Sequence, residues 1–314
     1  MTCQTTPTTF DLPTFYMMVG LPYSGKTVYA KTLADWTGAF VRSSDAIRLE
    51  LFGDERDQTH NTEVFDTLHR RVLDDLRAGC STIYDATNLS YKRRMDLLSR
   101  MKRIPCRKVC FVMATPWELL LERAQRRERV VPWEILDRMM RSIWIPQSYE
   151  GWDEIRVIYP SDPFPLRQIE SAVAALLTEP HDNPHHVRSI GRHMEEAHFL
   201  LSQAGASDEL KAAALLHDIG KPFTKSFTDS KGNVSEIAHY YGHQHVSAYE
   251  SLFYRLPENT DRLRVAGLIQ WHMRPYELDR ASSRKALYEK FGGLVGEDML
   301  HDIMLLHMAD LAAH

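Results

Sequence analysis

"GLPYSGKT", Gly20 to Thr27, decides how the first half of this 314-residue chain is read. An apolar run, Thr14 to Val19 (TFYMMV), precedes it, and a stretch with helical character, KTVYAKTLADW, follows. The pattern is GxxxxGK[ST], and a strand before it and a helix after it are the context in which that pattern cradles phosphate. Gly20 and Gly25 let the backbone curl around Ser24 so that successive N–H groups point inward at phosphate oxygens. Lys26 supplies a point charge for the terminal phosphates, Thr27 a hydroxyl for Mg²⁺, and the helix start adds the positive end of its dipole. ATP with Mg²⁺ is the expected ligand.

Outward from the loop, elements alternate in the α/β manner. AFVRSS reads as a second strand followed by a helix from Asp45, and NTEVFDTLHRRVLDDLRAG as a long amphipathic helix stopping at Gly79. STIYDATN and KVCFVMA are the third and fourth strands, with the basic helix SYKRRMDLLSRMKR between them. WELLLERAQRRER and PWEILDRMMRSIW are helices, and EIRVIYP a last strand. Asp45, at the end of the second strand, is placed to accept the proton of an attacking hydroxyl, with Arg48 one turn on to hold a phosphate of the acceptor. Asp85, at the tip of the third strand, is placed to reach Mg²⁺. Arg123, Arg126, Arg127 and Arg129 are candidates for a lid over the phosphates.

Taken in order, these residues resemble the phage-type 5′-polynucleotide kinase over residues 14–158: the phosphate loop, SSDAIR, YDATNLSYKRR and TPWELLLERAQRRERVVPWEIL. The resemblance implies that Lys26 and Thr27 bind ATP and Mg²⁺, and that Asp45 is the general base on a 5′-hydroxyl. It also implies that Arg48 holds the acceptor-side phosphate and that Arg123 and Arg127 are the lid arginines. The segment before Pro132 is one residue shorter than the family pattern, which leaves Arg126 and Arg129 as sharers of that role. The rival within this fold is a small-molecule kinase.

Charge separates the two. Between Lys92 and Arg129, twelve Lys or Arg face four Asp or Glu, a net +8 inside a chain of net charge −4. A pair of solvated helix faces is the plain reading; a groove for a polyanion is the sharper one, and a small acceptor would not need it.

The second half carries different chemistry. Thirteen of the fifteen histidines lie at or after His181. His-Asp occurs at His181, His217 and His301, but only KAAALLHDIGKP has an apolar helix delivering both side chains, with Gly220 to stop it and Pro222 beyond. Lys221 follows, near enough to meet a bound phosphate. Adjacent His and Asp cannot close a metal site alone, and His193, His243, His272 and Asp310 are the candidates to complete one.

As an ordered set around LLHDIGK these resemble the HD phosphohydrolase superfamily over residues 184–314, with the modules of tRNA nucleotidyltransferases and end-repair enzymes as the nearest likeness. By that resemblance His193, His217, Asp218 and Asp310 are primary metal ligands, and His243 and His272 complete a second metal position or contact substrate. Lys221 offsets charge developing on the phosphate. Mn²⁺, Co²⁺, Ni²⁺ or Mg²⁺ would suit the nitrogen–oxygen donors. His307 is the best second-shell candidate among the remaining histidines.

The expected architecture is an α/β P-loop kinase domain with a parallel sheet over 1–158, a proline-marked linker around one short helix over 159–183, and an all-α HD-type domain over 184–314. One polar irregular stretch, TDSKGNVS, interrupts the helices. Four cysteines fit neither a disulfide framework nor a Cys-rich zinc site, which implies a reducing, cytoplasmic setting. No apolar run approaches the roughly 20 residues of a membrane span, and the N-terminus lacks the pattern of a signal peptide.

One chemistry adds phosphate and the other removes it. Broken RNA or DNA often ends in a 5′-hydroxyl and a 3′-phosphate or 2′,3′-cyclic phosphate, and a ligase needs the reverse. The two halves therefore resemble bifunctional end-healing enzymes acting on RNA or DNA ends. No KxDG signature is present, so sealing falls to a separate ligase. Two alternatives stand beside this reading: a kinase fused to an HD nucleotidase acting on free nucleotides, and a nucleotide-sensing switch in which the loop regulates the HD domain.

Overall fold

The computed structural model of the chain describes residues 12–127, 130–162, 164–184 and 187–314. The chain divides into two compact units, one formed by the residues up to Pro132 with Glu150–Ser161, the other by Trp133–Tyr149 with Asp162–His314.

The first unit begins with β1 (Thr14–Val19), α1 (Lys26–Thr37), β2 (Phe40–Ser43) and α2 (Ser44–Phe52). It continues through α3 (Asn61–Arg77), β3 (Thr82–Asp85), α4 (Tyr91–Arg100), β4 (Arg107–Met113) and α5 (Trp117–Gln125). After α6 (Trp133–Met140), which belongs to the other unit, β5 (Glu154–Ile158) completes the sheet. The strand order is β2-β3-β1-β4-β5 and every pairing is parallel. Parallel sheets are covered on both faces, which is why β1 and β4 are apolar runs rather than alternating ones: Phe15, Met17, Met18 and Val19 are buried, as are Val109 to Met113. Along α3, Val64, Leu68, Val72 and Leu76 recur every four residues and are buried as one stripe. The consequence for function is positional. All five strands point the same way, so the loop after β1, the start of α2 and the tip of β3 meet along one edge of the sheet.

The second unit is helical. It contains α6, α7 (Ile169–Leu176), α8 (Ile190–Gln203), α9 (Asp208–Leu216) and α10 (Lys221–Thr224). A two-stranded antiparallel hairpin follows, β6 (Ser226–Thr228) with β7 (Val234–His239). Then come α11 (His243–Glu250), α12 (Arg262–Trp271), α13 (Arg274–Asp279), α14 (Arg284–Val295) and α15 (Glu297–Ala312). Ser189, Ser207 and Asp261 cap α8, α9 and α12 by accepting from backbone N–H groups of the first turn, so these starts are written locally.

Three features differ from the sequence expectation. The helix read from PWEILDRMM groups with the helical unit: Arg141 donates to the carbonyls of Phe223 (3.0 Å) and Thr224 (2.9 Å), and the Ile145 N–H to Gln270 Oε1 (2.6 Å). The proline-marked segment is not all connector, because from Asp162 onward it folds with the helices and α7 buries Ile169 and Val173. The irregular stretch TDSKGNVS is the turn of the β6–β7 hairpin; its strands bury only Ala238 on β7, so no alternating pattern betrays them. Among the described residues, no helix is long and apolar enough to cross a membrane. Cys80, Cys106 and Cys110 are buried.

Candidate functional site

The phosphate loop is shaped by backbone geometry that side chains resist. Gly25 has φ of +90° and precedes α1, and a Cβ on Gly20 would stand 2.7 Å from Ser24 Oγ. Lys26 is buried and donates to the Leu21 carbonyl at 2.7 Å, folded back into its own loop. Burial lowers its ammonium to about 8, while the carboxylates of Asp85 and Asp45 pull the other way. Burial likewise raises the Asp85 carboxyl, opposed by a hydrogen bond from Thr27 and by the Lys26 charge. Ser24 Oγ and Asp85 Oδ2 are buried without a hydrogen-bond partner. A buried acceptor and hydroxyl left unsatisfied beside a lysine are what a phosphate with its Mg²⁺ would complete, so Gly20, Ser24, Gly25, Lys26, Thr27 and Asp85 fit ATP and Mg²⁺.

Arg123, near the end of α5, donates to the Tyr23 carbonyl at 3.1 Å and stands over Gly25, within reach of the loop. Arg127 is exposed just past α5. Arg126 is also exposed and pairs with Glu122. Arg129 lies outside the described residues.

Helix α2 carries Asp45 in its first turn and Arg48 one turn later. Arg48 is 5% exposed and donates to Asp45 Oδ1 and to Asn61 Oδ1, both at 2.8 Å. Its Nε is buried without a partner. The Asp45 side chain, by contrast, is 53% exposed. Sequence reasoning has no way to single out Asn61, because it reaches Arg48 from the start of α3 across a loop of eight residues that carries no motif.

The basic window resolves into distinct parts. Arg94 is no surface residue: it is fully buried, forks onto both oxygens of Glu150 at 2.7 and 2.8 Å, and donates to the carbonyls of Asn88 and Leu89. Arg107 pairs with Glu154 and Arg126 with Glu122. Lys92, Arg93 and Arg100 on α4, Lys102 and Arg103 in the turn after it, and Arg127 past α5 are exposed.

In the helical unit, His193 comes from α8, His217 and Asp218 from the end of α9, His243 from the start of α11, His272 from the end of α12 and Asp310 from α15. Six residues from five helices converge. His193 Nε2 lies 2.8 Å from Asp310 Oδ1, 3.2 Å from His217 Nε2 and 3.5 Å from Asp218 Oδ2. His243 Nε2 lies 3.1 Å from His272 Nε2 and 3.4 Å from Asp218 Oδ1. Asp218 thus stands between two clusters, His193 with His217 and His243 with His272.

Each of the four imidazoles turns Nδ1 to a backbone carbonyl: Ala313 (3.2 Å), Ala214 (2.8 Å), Tyr240 (2.8 Å) and Ile269 (2.6 Å) for His193, His217, His243 and His272. Those bonds place the proton on Nδ1 and leave the Nε2 lone pairs facing inward. Two lone pairs at 3.1–3.2 Å repel unless a cation lies between them. Burial lowers His243 to about 3 and His272 to about 4, whereas at His217 burial is outweighed by the Asp218 and Asp310 charges, which raise it above 6.5. Burial works against the charges of Asp218 and Asp310, yet the surrounding histidines, with Lys221 at Asp218, hold both well below the usual carboxylate range. Neither Asp218 oxygen accepts a well-formed hydrogen bond, although the Lys221 ammonium is 2.7 Å from Oδ2. Imidazole nitrogens and ionised carboxylates gathered in one buried cluster form a donor set for divalent metal.

Three neighbours escape a reading of the sequence. Tyr276 donates its hydroxyl to Asp310 Oδ2 at 2.9 Å. His314 is close enough to share a ligand set with His193 and Asp310. His181 is buried with its ring 5.6 Å from that of His193. The ring of His307 packs edge-on at 4.4 Å against Tyr276, the residue that donates to Asp310.

Comparison with known proteins matches two family models to the chain. Residues 15–145 match the model of the AAA domain family and residues 185–312 that of the HD domain family. The chain therefore joins a kinase-like P-loop domain of α/β architecture to a helical HD domain, the first implying ATP and Mg²⁺ and the second divalent metal. Among curated proteins, the CC-adding tRNA nucleotidyltransferase of Thermus thermophilus is 36% identical over 117 residues, 37% of this chain. The chain spans only 25% of that relative's length. Among solved structures, a sugar kinase from Janibacter sp. HTCC2649 is 22% identical with a TM-score of 0.38, covering 48% of this chain and 87% of its own. A chain of the Pnkp1/Rnl/Hen1 RNA repair complex is 20% identical with a TM-score of 0.38, covering 42% of this chain and 44% of its own.

Proposed function

We propose that the protein heals nucleic-acid ends, phosphorylating 5′-hydroxyl ends with ATP and removing the 3′-phosphate or opening the 2′,3′-cyclic phosphate at the HD site. The observation that carries the kinase half is the Asp45–Arg48 pair beside the phosphate loop. Asp45 is the general base: it takes the proton of the 5′-hydroxyl as that oxygen forms its bond to the γ-phosphorus and the bond to the β-phosphate oxygen breaks. Arg48, buried and held by Asn61, keeps an unpartnered Nε proton for the acceptor's own phosphate. Mg²⁺ bound with ATP at Thr27 and Asp85 would neutralise charge on the phosphates, and Lys26 with Arg123 and Arg127 would do so from the protein side.

At the HD site His193, His217, Asp218 and Asp310, with His243 and His272, would hold divalent metal such as Mn²⁺, Co²⁺, Ni²⁺ or Mg²⁺. Bound there, metal would supply an activated water and polarise the phosphate. Lys221, beside Asp218, offsets the charge that develops. RNA or DNA ends are the substrates in this reading, and a separate ligase would seal the product.

The test is one incubation. An oligonucleotide with a 5′-hydroxyl and a 3′-phosphate is given ATP, Mg²⁺ and Mn²⁺, and mass spectrometry reports each end. Gain of a 5′-phosphate with loss of the 3′-phosphate is expected. An untouched 3′ end together with hydrolysis of free mononucleotides would replace the HD half of the reading with a nucleotidase.

A further inference from the structure

The backbone of the phosphate loop holds one residue in a conformation its side chain resists. Among the described residues, the non-glycines with positive φ are Asn88 (50°), Asp182 (47°), Asn259 (63°) and Tyr23 (67°). Asn and Asp carry short polar side chains that tolerate the left-handed region, whereas a bulky side chain there is an outlier. Such a residue persists where its surroundings overdetermine the backbone, and it does so most often at a functional site. Glycine would take up the same φ without strain. What glycine would lack is the phenol.

The phenol has a partner. The Val131 N–H donates to the Tyr23 hydroxyl at 2.5 Å, and Arg123 Nη1 donates to the Tyr23 carbonyl at 3.1 Å. One residue of the loop thus holds the chain at two points, one on either side of Arg126 and Arg127 in the sequence. Beside it, the hydroxyl of Thr115, just ahead of α5, donates to the Ser24 carbonyl at 3.3 Å. These bonds fasten Tyr23 and Ser24 to both ends of α5. Arg123 Nη1 stands 3.8 Å from where a Cβ on Gly25 would be, so the guanidinium lies over the turn that receives the phosphates.

We infer that Tyr23 is a positioning residue: it aims Arg123, and with it Arg127, at the terminal phosphate of ATP. Its carbonyl holds Arg123 directly, and its hydroxyl fixes the chain at Val131, beyond both arginines. The inference rests on the reading of Arg123 and Arg127 as the arginines that neutralise the phosphates. A guanidinium on a freely turning stem gives up rotamer freedom when it meets a phosphate. One already held over the loop gives up less, and binds the tighter for it.

Calorimetry of the intact chain with a non-hydrolysable ATP analogue and with ADP, each with Mg²⁺, isolates the terminal phosphate. Tyr23→Phe keeps the ring and removes only the hydroxyl. It should raise the Kd of the ATP analogue by about tenfold and that of ADP by less than about threefold. Val131→Pro removes the N–H on the other side of the same bond and should give the same pattern; circular dichroism checks the fold of both. In an Arg123→Ala background Tyr23→Phe should add little, because the residue it positions is gone. A loop that had merely collapsed would lose both nucleotides alike, so equal losses would overturn the inference. An unmoved Kd for the ATP analogue, or full additivity with Arg123→Ala, would do the same. Tyr23-dependent ATP binding without phosphorylation of any 5′-hydroxyl end would leave Tyr23 in its role and remove the polynucleotide kinase reading instead. A wild type that binds no nucleotide would remove the ATP reading of the loop, and this inference with it.

Discussion

Tyr276 donates its hydroxyl to Asp310 Oδ2 at 2.9 Å, while Asp310 Oδ1 faces His193 at 2.8 Å. One carboxylate is thus oriented from both sides, by a tyrosine on α13 and a candidate metal ligand on α8. Partners of this kind hold a ligating carboxylate in place, and their loss typically costs 10–100-fold in metal affinity. Tyr276→Phe should therefore weaken Mn²⁺ binding by about that factor, read by titration calorimetry, with thermal stability of the metal-free protein nearly unchanged. Unaltered affinity would make the hydroxyl a structural contact only.

The two chemistries should separate genetically. Lys26→Ala or Asp45→Ala should lower 5′ phosphorylation by at least about 10² and leave 3′ hydrolysis intact. Asp218→Ala or His217→Ala should do the reverse. Both ends of one oligonucleotide, followed in the same reaction, give the answer, and a folded variant losing both activities would argue for a single coupled site.

Arg94 tests how the first unit is held together. Its guanidinium and the Glu150 carboxylate are both buried, and removing one partner strands the other. Arg94→Ala should cost about 3–5 kcal/mol of stability in urea unfolding. Replacing both residues by apolar ones of similar volume should cost much less, since no lone buried charge remains.

His69 makes stability depend on pH. Burial, followed by the nearby Arg100 charge, lowers its pKa below the ordinary 6.5. The unfolded chain then takes up the proton first, so this contribution is fully present above about pH 6.5 and is lost as the pH falls below it. The melting temperature of wild type should fall more steeply from pH 7 to 5 than that of His69→Gln. Parallel curves would show that the native state protonates as readily as the unfolded one.

Much of the fold is legible in the sequence because its signals are local. The strand–loop–helix around Gly20–Thr27, the apolar runs of β1 and β4, and the four-residue stripe of α3 each report their own environment. Helix α6 reads as a helix but groups with the other unit than its place in the chain suggests, because nothing within WEILDRMM says which surface it will cover. The β6–β7 hairpin leaves no pattern because its strands bury almost nothing. Candidate ligands at His193, His243, His272 and Asp310 can be named one by one, and only the fold brings them within reach of His217 and Asp218.

By itself the sequence determined the phosphate loop, the helix that presents His217 and Asp218, and the division into an α/β half and a helical half. These depend on residues adjacent along the chain. Tertiary structure alone decided that Asn61 steadies Arg48, that Tyr276 orients Asp310, and that Arg94 is a core residue rather than part of a basic face. Those relations join residues far apart in sequence, and a side chain's partner and its burial are set by how helices pack, which no local pattern records.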